Sequence, residues 1–263
     1  MFGLDISPSD SLYIILFLVA LGAGIVDAIA GGGGLVTIPA LMLAGVPPML
    51  ALGTNRFQAV IGELTTSLVY LRSRQLPLDG IALGIVATAV GAILGACAVS
   101  VLDKTVLEYL LPILMVLVTM YSIFSKRLRS VTVSDAKLST KQFMLLCGIG
   151  IGFYNGFFGP GTGSFWMLAF AVLLGYTIKQ ATMATKPLNL VGNFVSLLIF
   201  VYLGHVDYAL GVIMGAGQIV GSIVGGRWVI LFGTKLVRPV FITVTVVMTA
   251  KLLVERGLLS YIV

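Results

Sequence analysis

Charge is scarce in this chain. Only 10% of its 263 residues are Asp, Glu, Lys or Arg, against about 25% in an ordinary soluble domain. A soluble globular fold is therefore excluded. Histidine occurs once, as His205, and cysteine twice, as Cys97 and Cys147, each inside an apolar run. Neither thiol has a Cys or His nearby in sequence, so no metal-ligand set is offered. A Cys97–Cys147 disulfide is the less favoured reading, given the geometry such bonds require. His205 lies in a short polar connection and reads as a surface residue rather than a proton relay. With no nucleophile or metal constellation, no catalytic residue and no cofactor are expected. The first bases come late: Asp5 and Asp10 precede any Lys or Arg, and Arg56 is the first. The basic start of a secretory signal peptide is thus missing.

Apolar residues are abundant: 59% of the chain, with a mean hydropathy of +1.10. A membrane span needs about 20 apolar residues. Full spans are expected at 53–71, 78–101, 105–124, 182–203, 207–231 and 235–254. Two further runs, 11–30 and 142–158, each meet a glycine-rich break and then a short apolar piece, 35–46 or 164–176. The breaks are Gly31-Gly32-Gly33-Gly34 and Gly159-Pro160-Gly161-Thr162-Gly163-Ser164. Glycine disfavours helix by about 1 kcal/mol per residue. The short pieces cannot cross a bilayer alone at about 1.5 Å per residue. Each pair is read as a broken, hairpin-like element that returns to its own side. Irregular backbone at membrane depth is tolerated only inside protein or beside a wet cavity. The breaks lack the Gly-Lys-Ser/Thr of a Walker loop and the strand of a dinucleotide fingerprint. Direct ATP use is therefore not expected.

The bases alternate with the spans. Arg72 and Arg74, the cluster Lys126, Arg127, Arg129, Lys137 and Lys141, then Lys179, Arg227, Lys235 and Arg238 all fall on one side. Lys104, Lys251 and Arg256 fall on the other. The rich side is cytoplasmic by the positive-inside rule, which places the N-terminus in the periplasm. The same alternation argues against a nucleic-acid surface despite the net charge of +6. The chain divides into a first transmembrane repeat, 1–124, a basic cytoplasmic linker, 125–141, and a second repeat, 142–263. Each repeat has one broken element and three spans, an odd number of crossings, so the second is inverted. Gly24-Ile25-Val26-Asp27 aligns with Gly152-Phe153-Tyr154-Asn155. Thr54-Asn55 aligns with Thr185-Lys186, Gln58 with Asn189, and Gly91 and Gly95 with Gly221 and Gly225. The fold expected is all-α and polytopic. Gly84, Gly91 and Gly95, with Gly211, Gly215, Gly221 and Gly225, are read as close helix-packing positions. Inverted repeats with interrupted helices place a substrate near the midplane of secondary transporters.

Asp27, Arg56, Glu63 and Lys186 fall in or near spans, where an unpaired charge is costly. Lys251 and Glu108 can snorkel from span ends. One reading pairs Arg56 with Glu63 or Asp27 within the first half. Lys186 shares a helix face with Thr185, Asn189 and Asn193; the matching helix carries Thr54, Asn55, Gln58 and Gly62. Beside these stripes lie the helix starts after the breaks, whose N–H groups and positive dipole ends suit an anion. The candidate substrate-binding set is Gly31, Gly32, Gly33, Gly34, Thr54, Asn55, Gln58, Asn155, Gly161, Thr162, Gly163, Ser164, Thr185, Lys186, Asn189 and Asn193. The competing reading is polar glue between helices. Asp27 or Glu63 could carry a coupling proton. The partners expected are a small anion, the bilayer and a proton or other coupling ion. Oligomeric state is left open, a homodimer being one option.

The run Gly24 to Gly34, then Pro39 and Gly53-Thr54-Asn55, resembles the TauE/SafE sulfite exporter family, in particular its YfcA-like branch. The second half carries that family's second repeat in Gly159 to Gly163 and Ala184-Thr185-Lys186 with Asn189. The resemblance covers about residues 12–254. It implies a bacterial inner-membrane permease for sulfite, a sulfonate or a related small organic anion. A passive anion channel and an importer of a small organic anion are the alternatives.

Overall fold

The computed structural model describes residues 10–124 and 136–233, which form nine helices. They are α1 (Asp10–Ala30), α2 (Gly34–Leu43), α3 (Pro48–Arg72), α4 (Ile81–Ser100), α5 (Lys104–Phe124), α6 (Thr140–Phe157), α7 (Thr162–Leu173), α8 (Ile178–Tyr202) and α9 (Tyr208–Phe232). No strand forms among the described residues. The expected last span, 235–254, with Lys235, Arg238 and Lys251, lies outside them. So do Asp5, Arg256, most of the 125–141 linker with Lys126, Arg127 and Arg129, and the side chains of Asp10, Lys104 and Glu108.

Every other expected span is a helix, with shifted ends. α3 begins at Pro48 rather than near 53, because Pro suits the first turn, where its missing N–H costs nothing. α8 begins at Ile178 rather than near 182, behind a capping box. In that box the Thr177 hydroxyl accepts from the Gln180 N–H at 3.3 Å, and the Gln180 side chain accepts from the Thr177 N–H at 3.1 Å. The polar stretches Gly53-Thr54-Asn55 and Thr185-Lys186 therefore lie inside helices. The breaks are also shorter than expected: Gly34 opens α2, and Thr162, Gly163 and Ser164 open α7.

Both broken elements turn back. The carbonyl of Leu173, at the end of α7, accepts from the Lys137 N–H at 2.9 Å, just ahead of α6. α7 thus returns to the level where α6 starts. In the first half the chain reverses again through residues 44–47, so that α3 passes beside α2 and Asn55 meets Thr37.

The most extensive packing exchanges helices between the halves: α4 lies on α6, and α1 on α9. Small residues make both crossings. A Cβ on Gly91 would lie 2.3 Å from the Ile149 carbonyl oxygen, and one on Gly95 2.0 Å from that of Phe153. In the other crossing a Cβ on Gly221 would lie 2.1 Å from the Leu21 oxygen, and one on Gly225 2.6 Å from that of Ile25. Such approach is how helices associate where apolar burial gives no advantage over lipid. Gly84, Gly211 and Gly215 also face close neighbours: Met144, Phe57 and Ile61. Contacts advance together along α1 and α9, and along α4 and α6, so each pair is parallel. Along α3 and α8 they run in opposite order: Glu63 meets Asn189, Arg56 meets Asn193, and Gly53 meets Phe200.

The outside of the bundle is apolar. Leu18, Val86, Leu117, Leu146, Val212 and Leu231 are exposed, while Arg56, Glu63 and Lys186 are buried. This inversion of the soluble pattern is what a lipid solvent requires. Four described helices, from Ser11–Ala30 to Tyr208–Phe232, are long and apolar enough to cross a membrane. Cys97 and Cys147 are both free. His205 is half-buried in the α8–α9 turn, its carbonyl packed against Gly53.

Candidate functional site

The two breaks touch. The Gly163 N–H donates to the Gly31 carbonyl at 3.1 Å. A Cβ on Gly31 would lie 2.2 Å from the Gly163 Cα, and one on Gly163 would lie 2.3 Å from the Gly31 Cα. Gly31 also has a φ of +67°, which a side chain rarely adopts. Close by, the Ser164 hydroxyl donates to the Ala30 carbonyl at 2.8 Å. A crevice too narrow to hold a water lies at this junction, lined by Ala30, Gly31, Gly163, Met167, Thr185 and Lys186 among others.

On one side of the junction stands Lys186, carried by α8. Its ammonium donates to the Asp27 carbonyl in the last turn of α1, and lies 3.2 Å from the Asp27 carboxylate. It also lies 3.5 Å from the Glu63 carboxylate on α3. Glu63 accepts a further bond from the Asn189 amide at 3.1 Å. Asp27 in turn accepts from the Gly33 N–H at 3.1 Å, so its negative charge sits at the start of α2. The Lys186 and Glu63 side chains are 1% and 2% exposed, Asp27 16%. One ammonium thus faces two carboxylates, and with both ionised the cluster carries one net negative charge.

On the other side stands Arg56, carried by α3 and fully buried. It reaches the last turn of α6. Its Nη1 donates to Asn155 Oδ1 at 2.7 Å and to Asn193 Oδ1 at 3.0 Å. Its Nη2 donates to the Asn155 carbonyl and, at 3.1 Å, to that of Gly156. A cation is favoured at a helix C-terminus. Among the described residues no carboxylate pairs with it. The pairing of Arg56 with Glu63 or Asp27 is therefore replaced: Lys186 takes both acids. Residues 56 and 63 are also about 10 Å apart along a helix axis, a spacing that disfavours direct pairing.

The structure brings together Gly31, Gly163, Ser164, Thr185 and Lys186 at the junction, with Asn189 beside Glu63, and Asn155 and Asn193 around Arg56. Several expected site residues have local tasks. Thr54 accepts from the Asp207 N–H at 2.9 Å, fixing the α8–α9 turn. Asn55 Oδ1 accepts from Thr37 at 2.6 Å and from Gln58 at 3.0 Å. Thr185 donates to the Ala181 carbonyl at 2.8 Å, and Thr162 to that of Gly159. Gly161 caps α7 at a φ of +80°. Gly32 accepts from the Leu35 N–H at 3.0 Å, and Gly34 lies against Pro160 and Asn55. The helix-start amides are partly engaged: that of Gly33 by Asp27 and that of Gly163 by Gly31. Arg56, a buried cation with no acid beside it among the described residues, is missing from the expected set. Its signal was a buried base whose nearest acid on the same helix lies two turns away.

A bundle with lipid-facing walls, broken helices and charges held at the break is a multi-pass membrane protein of transporter type. The chain belongs to the Sulfite exporter TauE/SafE family, which matches residues 16–252. This is a transporter family and not an enzyme family. The chain is 41% identical over 247 residues to "Probable membrane transporter protein YfcA" of Escherichia coli K12, covering 94% of this chain and 91% of that one. It is 39% identical over 248 residues to a "Probable membrane transporter protein" of Haemophilus influenzae, covering 94% and 96%. It is also 36% identical over 250 residues to "Probable membrane transporter protein ORF9" of a Sinorhizobium species, covering 93% of each. No solved structure matches the chain.

Proposed function

We propose that this transporter exports a small anion, sulfite or an organosulfonate, across the bacterial inner membrane by alternating access. The observation that carries the reading is the junction itself: two helix breaks in contact, with a buried cation on either side. Residues 1–124 and 142–263 are taken as inverted repeats. The reciprocal α4–α6 and α1–α9 packing and the opposed run of α3 and α8 support this. Rocking one repeat against the other would open the junction to each side in turn. The basic linker 125–141 would face the cytoplasm and the N-terminus the periplasm.

Charge counting supports proton coupling. The Lys186, Asp27 and Glu63 cluster has one acid too many, and one proton makes it neutral. Asp27, the most exposed member, is the natural port. The test is uptake of labelled sulfite and of short sulfonates into proteoliposomes, with and without a pH gradient. Saturable accumulation that follows the gradient is the expected result. Flux that never concentrates the anion would favour the passive channel instead.

A further inference from the structure

Resting on the reading of an anion transporter, we infer that the anion is received by Arg56 and Asn155, and that Lys186 serves the coupling cluster instead. The two buried cations differ in what surrounds them. Lys186 is matched by Asp27 and Glu63. Among the described residues Arg56 touches only neutral acceptors: the side chains of Asn155 and Asn193 and the carbonyls of Asn155 and Gly156. A buried guanidinium without a carboxylate leaves a full positive charge in a dry site, which an entering anion would neutralise.

Donors remain to receive it. Arg56 Nε and Asn155 Nδ2 are both buried, and neither has a hydrogen-bond partner among the described residues. Arg56 is 0% exposed and Asn155 1%. Leaving such groups unpaired is costly, and native structures do so rarely. Both flank the same Arg56–Asn155 contact. Glycines let the backbone close directly against it, so that no side chain shields these donors. A Cβ on Gly159 would lie 2.4 Å from Arg56 Nη1, and one on Gly192 2.3 Å from Asn155 Nδ2. Two N–H donors and one charge suit an oxygen-bearing monoanion or dianion, such as a sulfite, sulfonate or carboxylate group. As α8 separates from α6, Gly192 withdraws from Asn155 and exposes that donor.

Two variants test this in proteoliposomes, with labelled sulfite and ethanesulfonate as the probes. Arg56→Lys keeps the charge and removes the guanidinium fork. Asn155→Asp keeps the shape and the Arg56 contact, and supplies the missing carboxylate. Asn155→Asp is expected to fold with unchanged or higher thermal stability in detergent, yet to raise the KM for both anions at least tenfold. Arg56→Lys is expected to raise KM by a similar factor. The pH-gradient dependence of the remaining uptake should be unaltered in both. Wild-type KM in a folded Asn155→Asp protein would overturn the inference while leaving anion transport standing. Absence of any anion flux in the wild-type protein would remove the transport reading and the inference with it.

Discussion

The two halves place an acid and its amide at matching positions: Asp27 near the end of α1 and Asn155 near the end of α6. Each meets a cation from the opposite half, Lys186 in one case and Arg56 in the other. An exchange of oxygen for nitrogen at this position, together with the acid Glu63 beside Lys186, separates an ion cluster from a clamp of neutral acceptors. The shared geometry is a cation held at a helix C-terminus; the difference is who supplies the negative charge. In the first half the protein does. In the second, by our proposal, the cargo does.

Removing the lysine should break this comparison most severely. Lys186→Met leaves Asp27 and Glu63 buried without a counter-charge, which costs about 3–5 kcal/mol. Thermal unfolding in detergent should show a large loss. Restoration by the triple variant Lys186→Met, Asp27→Asn and Glu63→Gln would establish charge balance as the cause.

A sharper test makes the first half resemble the second. Asp27→Asn leaves Lys186 with Glu63 alone, a balanced pair that needs no proton. Stability should fall by about 1 kcal/mol or less, because the amide oxygen can still accept from Gly33. Uptake should lose its response to a pH gradient while KM for sulfite stays within about twofold, the limit of an unaltered site. A full gradient response would place the coupling elsewhere.

The smallest effect is expected at Thr54. Thr54→Val leaves the Asp207 N–H without its acceptor and costs about 1 kcal/mol. Since the hydroxyl serves a turn, transport KM should not change. A shift in KM would return Thr54 to the binding site.

Hydropathy was enough to delimit the helices, because a lipid solvent imposes length and apolarity directly. It failed at the starts of α3 and α8. There, polar residues face inward rather than toward a loop, and local caps at Pro48 and Thr177 set the boundary. Glycine spacing made the break positions legible, and the small-residue crossings too. The charge partners were not legible. Lys186 meets Asp27 across 159 residues of chain and Arg56 meets Asn155 across 99. Only the packing of α8 beside α1 and α3, and the reach of Arg56 from α3 to the end of α6, decides which partner each base meets.

The bond from Gly163 to Gly31 ties the halves together through backbone atoms alone. A net contribution of about 1 kcal/mol weights the closed arrangement about fivefold over one in which the breaks part. No side chain contributes to that bond, so no polar substitution can stand in for it. Any side chain at either position must displace the other's backbone. The two positions therefore share one constraint: a side chain at either meets the other's backbone, and no substitution at the partner relieves it. Should the halves descend from one duplicated ancestor, this contact would have held them in register from the moment they shared a chain.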